Sequence, residues 1–460
     1  MKSVALHNLG CKVNAYEMDF MQQMLQEKGY KIVPFDEAAD IYIVNTCTVT
    51  NIADRKSRQM LHRAKRKNPN AVVVAVGCYV QTGSKSVEKD EAVDLAIGNN
   101  RKKDLVEILE DYLEKKRERT AFGDGSGTEG LRGTCDVIDI AHASYEEMTL
   151  RKTAEHTRAY IKIQDGCNQF CSYCIIPYAR GRVRSRREED ILREVRGMAE
   201  SGYREIVLTG IHISSYGTDR GGSELLLLLK KLSDIEGIER IRLGSLEPGI
   251  VTDHFAGQIS ALPKVCPHFH LSLQSGSDTV LRRMNRRYDT AAYYGAVELL
   301  RKYYINPAIT TDVIVGFPGE TEEEFLQTEV FLRRVGFYEM HIFKYSRRQG
   351  TRAADMEGQL TEAEKAVRSD ILMRLEREMS HAYRESFLGK TQEVLFEETM
   401  EKAGKTYWIG HTPNYIKAAK EVKPEEELQN RAPGLRNRVL QCRLEAFLET
   451  DIMLAVEAAL

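Results

Sequence analysis

The spacing of apolar and polar positions changes character three times along this chain. Up to Val76, short apolar runs at Ser3–Leu6, Asp40–Asn45 (DIYIVN) and Ala71–Val76 (AVVVAV) read as buried strands. The stretches Asn14–Lys28 and Ile52–Lys67 between them keep a period near 3.6 and read as helices, the second carrying Arg55, Lys56, Arg58, Arg63, Lys65, Arg66 and Lys67. From Tyr160 the pattern alternates strand and helix. Strands are expected near Tyr160–Ile163, Glu205–Thr209, Arg240–Leu243, His268–Leu273, Ala308–Val315 and Glu339–Phe343, with helices at Glu188–Ser201, Thr290–Arg301 and Thr321–Arg334 among them. A long charged helix follows Thr361 as far as Glu385, and from Gly389 short strands take over at Gln392–Phe396, Thr406–Ile409 and Tyr415–Ala419.

These patterns predict an α/β protein. An open parallel α/β sheet domain occupies 1–120, a linker 121–150, an incomplete (β/α)6 barrel of TIM type 151–385, and a small β-barrel 386–455. The Gly-rich stretch Ala121–Gly133 reads as loop. The charged stretch before it, Glu110–Arg119, reads as a helix end.

Composition narrows the class. With 460 residues, 42% hydrophobic and 29% charged, the chain can bury large cores. No apolar run approaches the ~18 to 20 residues of a membrane span. The first residues, MKSVALHNLGCKVN, have too short an apolar run for a signal peptide, so a cytoplasmic protein is expected. Nine cysteines, an odd number in a chain with no export signal, argue for reduced thiols and metal ligation over disulfides.

Three of them, Cys167, Cys171 and Cys174, form a C-x3-C-x2-C array in DGCNQFCSYCIIPYARG. A structural zinc site closes with four protein ligands, and no fourth Cys or His lies within the next thirty residues. Three thiolates on a cubane iron-sulfur cluster leave one iron open to a substrate. A zinc knuckle or simply buried thiols are the competing readings. Cys11 (LGCKVN), Cys47 (NTCTVT) and Cys78 (VGCYVQ) each follow an expected strand. A single Cys there is most often a small buried hydrophobe, but carboxyl ends of parallel strands share one edge, so the three predict a second thiolate trio. Cys135 has no partner spacing and is taken as structural; Cys266 and Cys442 receive no role.

Between Arg158 and Arg187 seven basic residues face one acidic residue, Asp165, although the net charge is only −2. Arg180, Arg182, Arg184, Arg186 and Arg187 are read as an RNA-facing patch against the alternative of a solvated loop. Tyr407, Trp408, Tyr415 and Lys417 in the small β-barrel are read as stacking and phosphate contacts, against the alternative of core aromatics.

The C-x3-C-x2-C loop, with Tyr173 just before its last Cys, resembles the cluster loop of the radical S-adenosylmethionine (SAM) superfamily. Barrel turns suited to an adenosine and an amino acid follow. Thr209 and Gly210 end a strand where backbone can approach a ligand, and Glu247 in SLEP can accept from ribose hydroxyls. Gln274 and Arg286 offer an amide and a guanidinium, and the DVIVGFPGE stretch at Val315 offers strand-end backbone to an adenine. Each taken singly has a bland reading, a surface ion pair for Glu247 or a tight turn for GFPGE. His212 is read as structural.

Over nearly its whole length the chain resembles the methylthiotransferases of that superfamily: LGCKVN, NTCTVT and GCYVQ, then DGCNQFCSYCIIPYARG, LTGIHISSYG, LSLQSGSD, TTDVIVGFPGET and YSRRQGT, and a C-terminal TRAM-like domain. LGCKVN, NTCTVTNIADRKSRQ and CSYCIIPYARG resemble the branch acting on N6-threonylcarbamoyladenosine beside the tRNA anticodon. The resemblance implies two 4Fe-4S clusters. One, on Cys167, Cys171 and Cys174, would cleave SAM to a 5′-deoxyadenosyl radical. The other, on Cys11, Cys47 and Cys78, would hold the sulfur that a second SAM methylates. It also implies the tRNA anticodon stem-loop as partner, a flavodoxin-like or ferredoxin-like electron donor and a sulfur source. Isopentenyladenosine tRNA and a protein side chain remain alternative substrates, and a non-catalytic iron-sulfur RNA-binding protein is the alternative from another class.

Overall fold

Val, Ile and Ala fill the early apolar runs because their strands are covered on both faces. The computed structural model describes residues 2–121, 131, 133–152, 157–422 and 434–458. β1 (Ser3–Asn8), β2 (Lys31–Val33), β3 (Ile41–Thr46), β4 (Val72–Gly77), β5 (Leu95–Ile97) and β6 (Thr134–Asp136) form one parallel sheet in the order β2-β1-β3-β4-β5-β6. Every residue of β3 and β4 is buried, as a sheet with helices on both sides requires. Ile41 and Ile43 face one core, and Tyr42 and Val44 face the other. The helices are α1 (Lys12–Glu27), α2 (Asn51–Lys67, capped by Thr50), α3 (Cys78–Val87) and α4 (Leu105–Ala121). β6, which contains Cys135, adds an edge strand inside the expected linker. The Gly-rich part of that linker at 122–130 lies outside the described residues.

Six further strands run parallel: β7 (Ala159–Asp165), β9 (Glu205–Gly210), β10 (Arg240–Leu243), β11 (His268–His270), β12 (Ala308–Val315) and β13 (Glu339–Lys344). β8 (Arg184–Ser185) lies antiparallel outside β7. Bridges Ile241–Val265 and Leu246–Leu271 join the two halves, and among the described residues no ladder closes β13 onto β7. This is the expected incomplete β/α barrel. Alternate residues such as Ile161, Ile206, Ile241, Phe269 and Ile309 pack outward against the helices. Their neighbours Lys162, Glu205, Arg242 and His270 therefore line the inside.

α1 of the first domain lies against β7. Glu17, 1% exposed, pairs with Lys162 at 2.7 Å, with Lys102 and with Arg180. Tyr16 donates to Met148 O at 2.7 Å and bonds Glu194.

β14 (Thr391–Lys402), β15 (Lys405–His411), β16 (Lys417–Glu421), β17 (Val439–Phe447) and β18 (Ile452–Glu457) close into the small barrel. The segment at 430–433, where the TRAM-like tail begins, lies outside the described residues. This barrel docks on the starts of the parallel strands. Arg240 and Arg242 donate to His411 O (2.9 Å) and Pro413 O (3.0 Å), Arg158 pairs with Glu397 (3.3 Å), and Ala308 shares its core. The carboxyl ends of the strands are left to other partners.

Glu205 sits beneath this joint, buried, 2.8 Å from Arg242. Burial alone would raise its pKa, but Arg242, with Arg158 and Arg240, holds it below the ordinary glutamate value. A depressed carboxylate contributes stability above its unfolded pKa of about 4.3 and loses it as the pH falls below that. Glu205→Gln is therefore expected to be less stable at pH 7 by about 3 kcal/mol or more, because it strands buried guanidinium charge. Its stability should also vary less than the parent's between pH 5 and pH 3, read from thermal unfolding midpoints.

Candidate active site

Two glycines shape the edge where the first three cysteines meet. Gly77 has φ +100°, and a Cβ there would lie 2.6 Å from Asn45 Oδ1. Gly10 has φ +115°, and its Cβ would lie 3.2 Å from Cys47 Sγ, so the backbone before Cys11 rests directly on Cys47. Cys11 caps α1, Cys47 follows β3 and Cys78 opens α3. Cys78 is buried, and its Sγ receives Arg180 Nε–H at 3.2 Å and Asn99 Nδ2–H at 3.4 Å.

The second trio sits on the loop after β7. Gly166 turns that loop so tightly that a Cβ would come within 1.8 Å of Arg182 O. Ser172 bonds Met284 O (3.0 Å) and Arg283 O (2.8 Å), and Asn285 donates to Phe170 O (3.0 Å), which hold the loop against the barrel. Gln169 N–H points at Cys167 Sγ (3.4 Å) and Arg286 Nη1–H at Cys171 Sγ (3.1 Å). Burial pushes Cys174 up to about 12 and Cys167 and Cys47 up to about 11, and a bound cation would favour their thiolate forms.

The two trios fit iron-sulfur clusters better than zinc. Three thiolates on one zinc stand about 3.8 Å apart. Among the described residues the one group of three donor atoms within 4.8 Å of one another is His270, Asp312 and His341, not either set of cysteines. The N–H donors aimed at the sulfurs suit metal-bound thiolates of either kind, so the wider spacing is what favours a cluster.

Of the residues expected to hold SAM, Glu247 is the hub. It accepts from Gln169 Nε2 at 2.7 Å and meets His212 Nε2 at 3.1 Å and Arg286 at 3.6 Å. Burial would raise its pKa, but His212 and Arg286 keep it below the usual glutamate value. Thr209 and Gly210 end β9 beside Gln164, and Gln274, at φ +77°, bridges to β12. Tyr173 packs edge-on to Phe317. Val315 departs from expectation: it is 1% exposed in the core, and its carbonyl already accepts from Tyr345 N–H at 2.9 Å, so it is not a free strand end.

The arginine patch needs correction. Arg180, Arg184 and Arg186 are 1%, 6% and 0% exposed, and face carboxylates rather than solvent. Arg186 pairs with Glu194 and Glu147 and donates to Met148 O (2.7 Å). Only Arg182 and Arg187 of that run are exposed. Tyr407 is buried inside the small barrel, and Tyr415 lies under Arg158 and Arg242 at the joint between the barrels. Trp408 lines a cleft of about 450 Å³ with Arg158, Tyr160 and Arg436, and Lys417 is half-buried.

Sequence reading placed neither Asn99 nor Gln169 at the site; His212, read as structural, bonds Ser215 and Glu247. Asn99 was the most accessible of these, since it follows β5 at the same sheet edge as the cysteines.

Residues 161–332 match the Radical SAM superfamily and residues 3–98 the Uncharacterized protein family UPF0004. The threonylcarbamoyladenosine tRNA methylthiotransferase MtaB of Bacillus subtilis (strain 168) is 39% identical, over 91% of this chain and 90% of its own. MtaB of Thermotoga maritima is 37% identical over 86% of this chain and 87% of its own. The tRNA-2-methylthio-N(6)-dimethylallyladenosine synthase of Thermoanaerobacter pseudethanolicus is 36% identical over 85% of this chain and 81% of its own. The radical S-adenosylmethionine methyltransferase TsrM from Kitasatospora setae, with cobalamin and a [4Fe-4S] cluster bound, shares the fold at TM-score 0.54 and 15% identity, over 75% of this chain and 72% of that one. A parallel, open β/α barrel with three thiols on the loop after its first strand is a radical SAM domain. With its relatives matched across both domains, the chain belongs to the methylthiotransferase family of that superfamily.

Burial separates two arginines that look alike in the sequence. Arg186→Ala should cost about 3 to 5 kcal/mol by taking the cation from the buried Glu194 carboxylate and removing one donor from the Met148 carbonyl. Arg182→Ala, which loses only a contact with the Phe170 ring at 4.5 Å, should cost under about 1 kcal/mol. Thermal unfolding of the two variants checks this.

Proposed function

We propose that this protein is a tRNA methylthiotransferase that converts N6-threonylcarbamoyladenosine to its 2-methylthio derivative. The observation that carries the reading is the pairing of two thiol trios at strand ends with 39% identity to an MtaB over 91% of the chain. In this reading Cys167, Cys171 and Cys174 hold one [4Fe-4S] cluster and Cys11, Cys47 and Cys78 the other. When bound, the clusters and SAM supply one-electron chemistry and the sulfur and methyl groups.

The chain's own part is placement and exclusion of water. Glu247, held by Gln169, His212 and Arg286, presents a carboxylate at the mouth of the barrel suited to ribose hydroxyls. Thr209, Gly210, Gln274 and Tyr173 line the neighbouring strand ends, where a nucleoside and an amino acid would lie. Arg286 donates to Cys171 and spans from the cluster loop to Glu247. RNA contact falls to the exposed Arg182 and Arg187 near the cluster loop, and to Trp408 and Lys417 on the small barrel. A flavodoxin-like or ferredoxin-like protein and a sulfur source complete the reaction. A cytoplasmic setting agrees with a tRNA substrate, and no described helix is long and apolar enough to cross a membrane.

The test is anaerobic reconstitution followed by incubation with SAM, reductant and tRNA bearing threonylcarbamoyladenosine, with the nucleoside followed by mass. One added methylthio group is expected, together with about eight irons per chain falling to about four in Cys11→Ala or in Cys174→Ala. Both variants should lose product, while Cys11→Ala still cleaves SAM. Modification of dimethylallyladenosine tRNA instead would move the substrate to the other group of relatives. SAM cleavage without any change in RNA would overturn the tRNA reading.

A further inference from the structure

We infer that Arg180 is a positioning residue for the N-terminal thiol trio, and that its guanidinium raises the reduction potential of the cluster those thiols hold. The inference rests on the proposed assignment of Cys78 as a cluster ligand. All five N–H groups of Arg180 are engaged. Nε donates to Cys78 Sγ at 3.2 Å, Nη1 to Glu17 and to Asp165 at 3.2 Å, and Nη2 to Asn14 Oδ1 at 2.6 Å and Glu17 at 3.0 Å. A planar fork that serves two carboxylates, an amide and a sulfur at once cannot be copied by lysine.

The surrounding charge has a sign. Two carboxylates, Glu17 and Asp165, make ion pairs with four cations, Lys102, Lys162, Arg180 and Arg184. Glu146, the next carboxylate, accepts from Lys103 N–H at 2.8 Å, and counting it still leaves one positive charge in excess. Nε and Nη1 of Arg184 are buried without a hydrogen-bond partner. Within this group Arg180 is the cation that touches a cysteine sulfur, Cys78 Sγ. Hydrogen bonds and positive charge at a thiolate favour the more negative, reduced cluster, so the potential rises.

The chain path adds a second point. Arg180 ends the short helix α5 (Ile176–Arg180), which begins two residues after Cys174. Gly181 follows at φ +73°, where a Cβ would strike Ile140 O at 2.2 Å, and Asn99 ties Ala179 O at 2.7 Å while its same amide reaches Cys78. The loop that carries one trio thus delivers the donor that the other trio receives.

The experiment uses the full-length chain with Cys167, Cys171 and Cys174 replaced by Ala, so that one cluster remains. Reconstitution to about four irons per chain checks the ligand assignment itself; failure there is failure of the assignment and takes the inference with it. On that background, Arg180→Lys and Asn99→Ala are compared with the parent by redox titration followed by electron paramagnetic resonance. A lower midpoint in both variants at unchanged iron, with the larger drop in Arg180→Lys, is the expected result. Unchanged midpoints at full iron would overturn the inference while leaving the ligand assignment intact. If Arg180→Lys does not fold or take up iron, Arg180→Gln, which keeps an N–H donor and removes the charge, decides in its place: a lower midpoint supports the inference and an unchanged one overturns it.

Discussion

Glu17 is a buried carboxylate with three cations on it, and each cation belongs to a different part of the molecule. Lys102 precedes α4 in the first domain, Lys162 is in the first strand of the barrel, and Arg180 ends the helix after the cluster loop. A buried ion cluster of this kind is weak evidence for stability, since desolvation offsets much of its Coulomb energy. Its stronger effect is on arrangement. A charge that deep tolerates no neighbour at the wrong distance, so the first sheet, the barrel and the cluster loop are held in one mutual position.

That constraint explains why the two thiol trios can be built from opposite principles. Cys167, Cys171 and Cys174 are close in sequence, and their loop is stiffened locally by Gly166 and by the bonds of Ser172 and Asn285. Cys11, Cys47 and Cys78 are distant in sequence and are gathered only by strand order. A local motif needs a correct loop, whereas a dispersed one needs the whole sheet. Joining them through α1 and β7 gives the dispersed trio a fixed relation to the local one.

Much of this could be read from the chain. The β-branched runs of β3, β4 and β12 declared strands, the cysteine spacing declared one trio, and their recurrence after successive strands declared the other. The arginines misled because a basic run reads as a surface. Arg180 meets Glu17 at a separation of 163 residues, which no local pattern carries, and even Arg186 with Glu194 at a separation of 8 needs a strand and a helix to fold together first. Three-residue strands such as β2, β5 and β6 are too short to show a period, and β6 sat in what looked like linker. Tyr407 and Tyr415 were misplaced because closure of the small barrel and its docking on the strand starts decide which aromatics face outward.

The docking of the small barrel at the strand starts, with the cluster loop at the strand ends, turns the parallel barrel into a measuring rod. Strands of six to eight residues such as β7, β9 and β12 rise about 3.3 Å per residue, so the two ends stand roughly 20 to 25 Å apart. A free nucleoside can touch one end only. If RNA meets Trp408 and Lys417 as proposed, it must place its reactive base and that second contact at this separation, a demand that a folded arm of definite reach would meet and a loose strand or an isolated base would not.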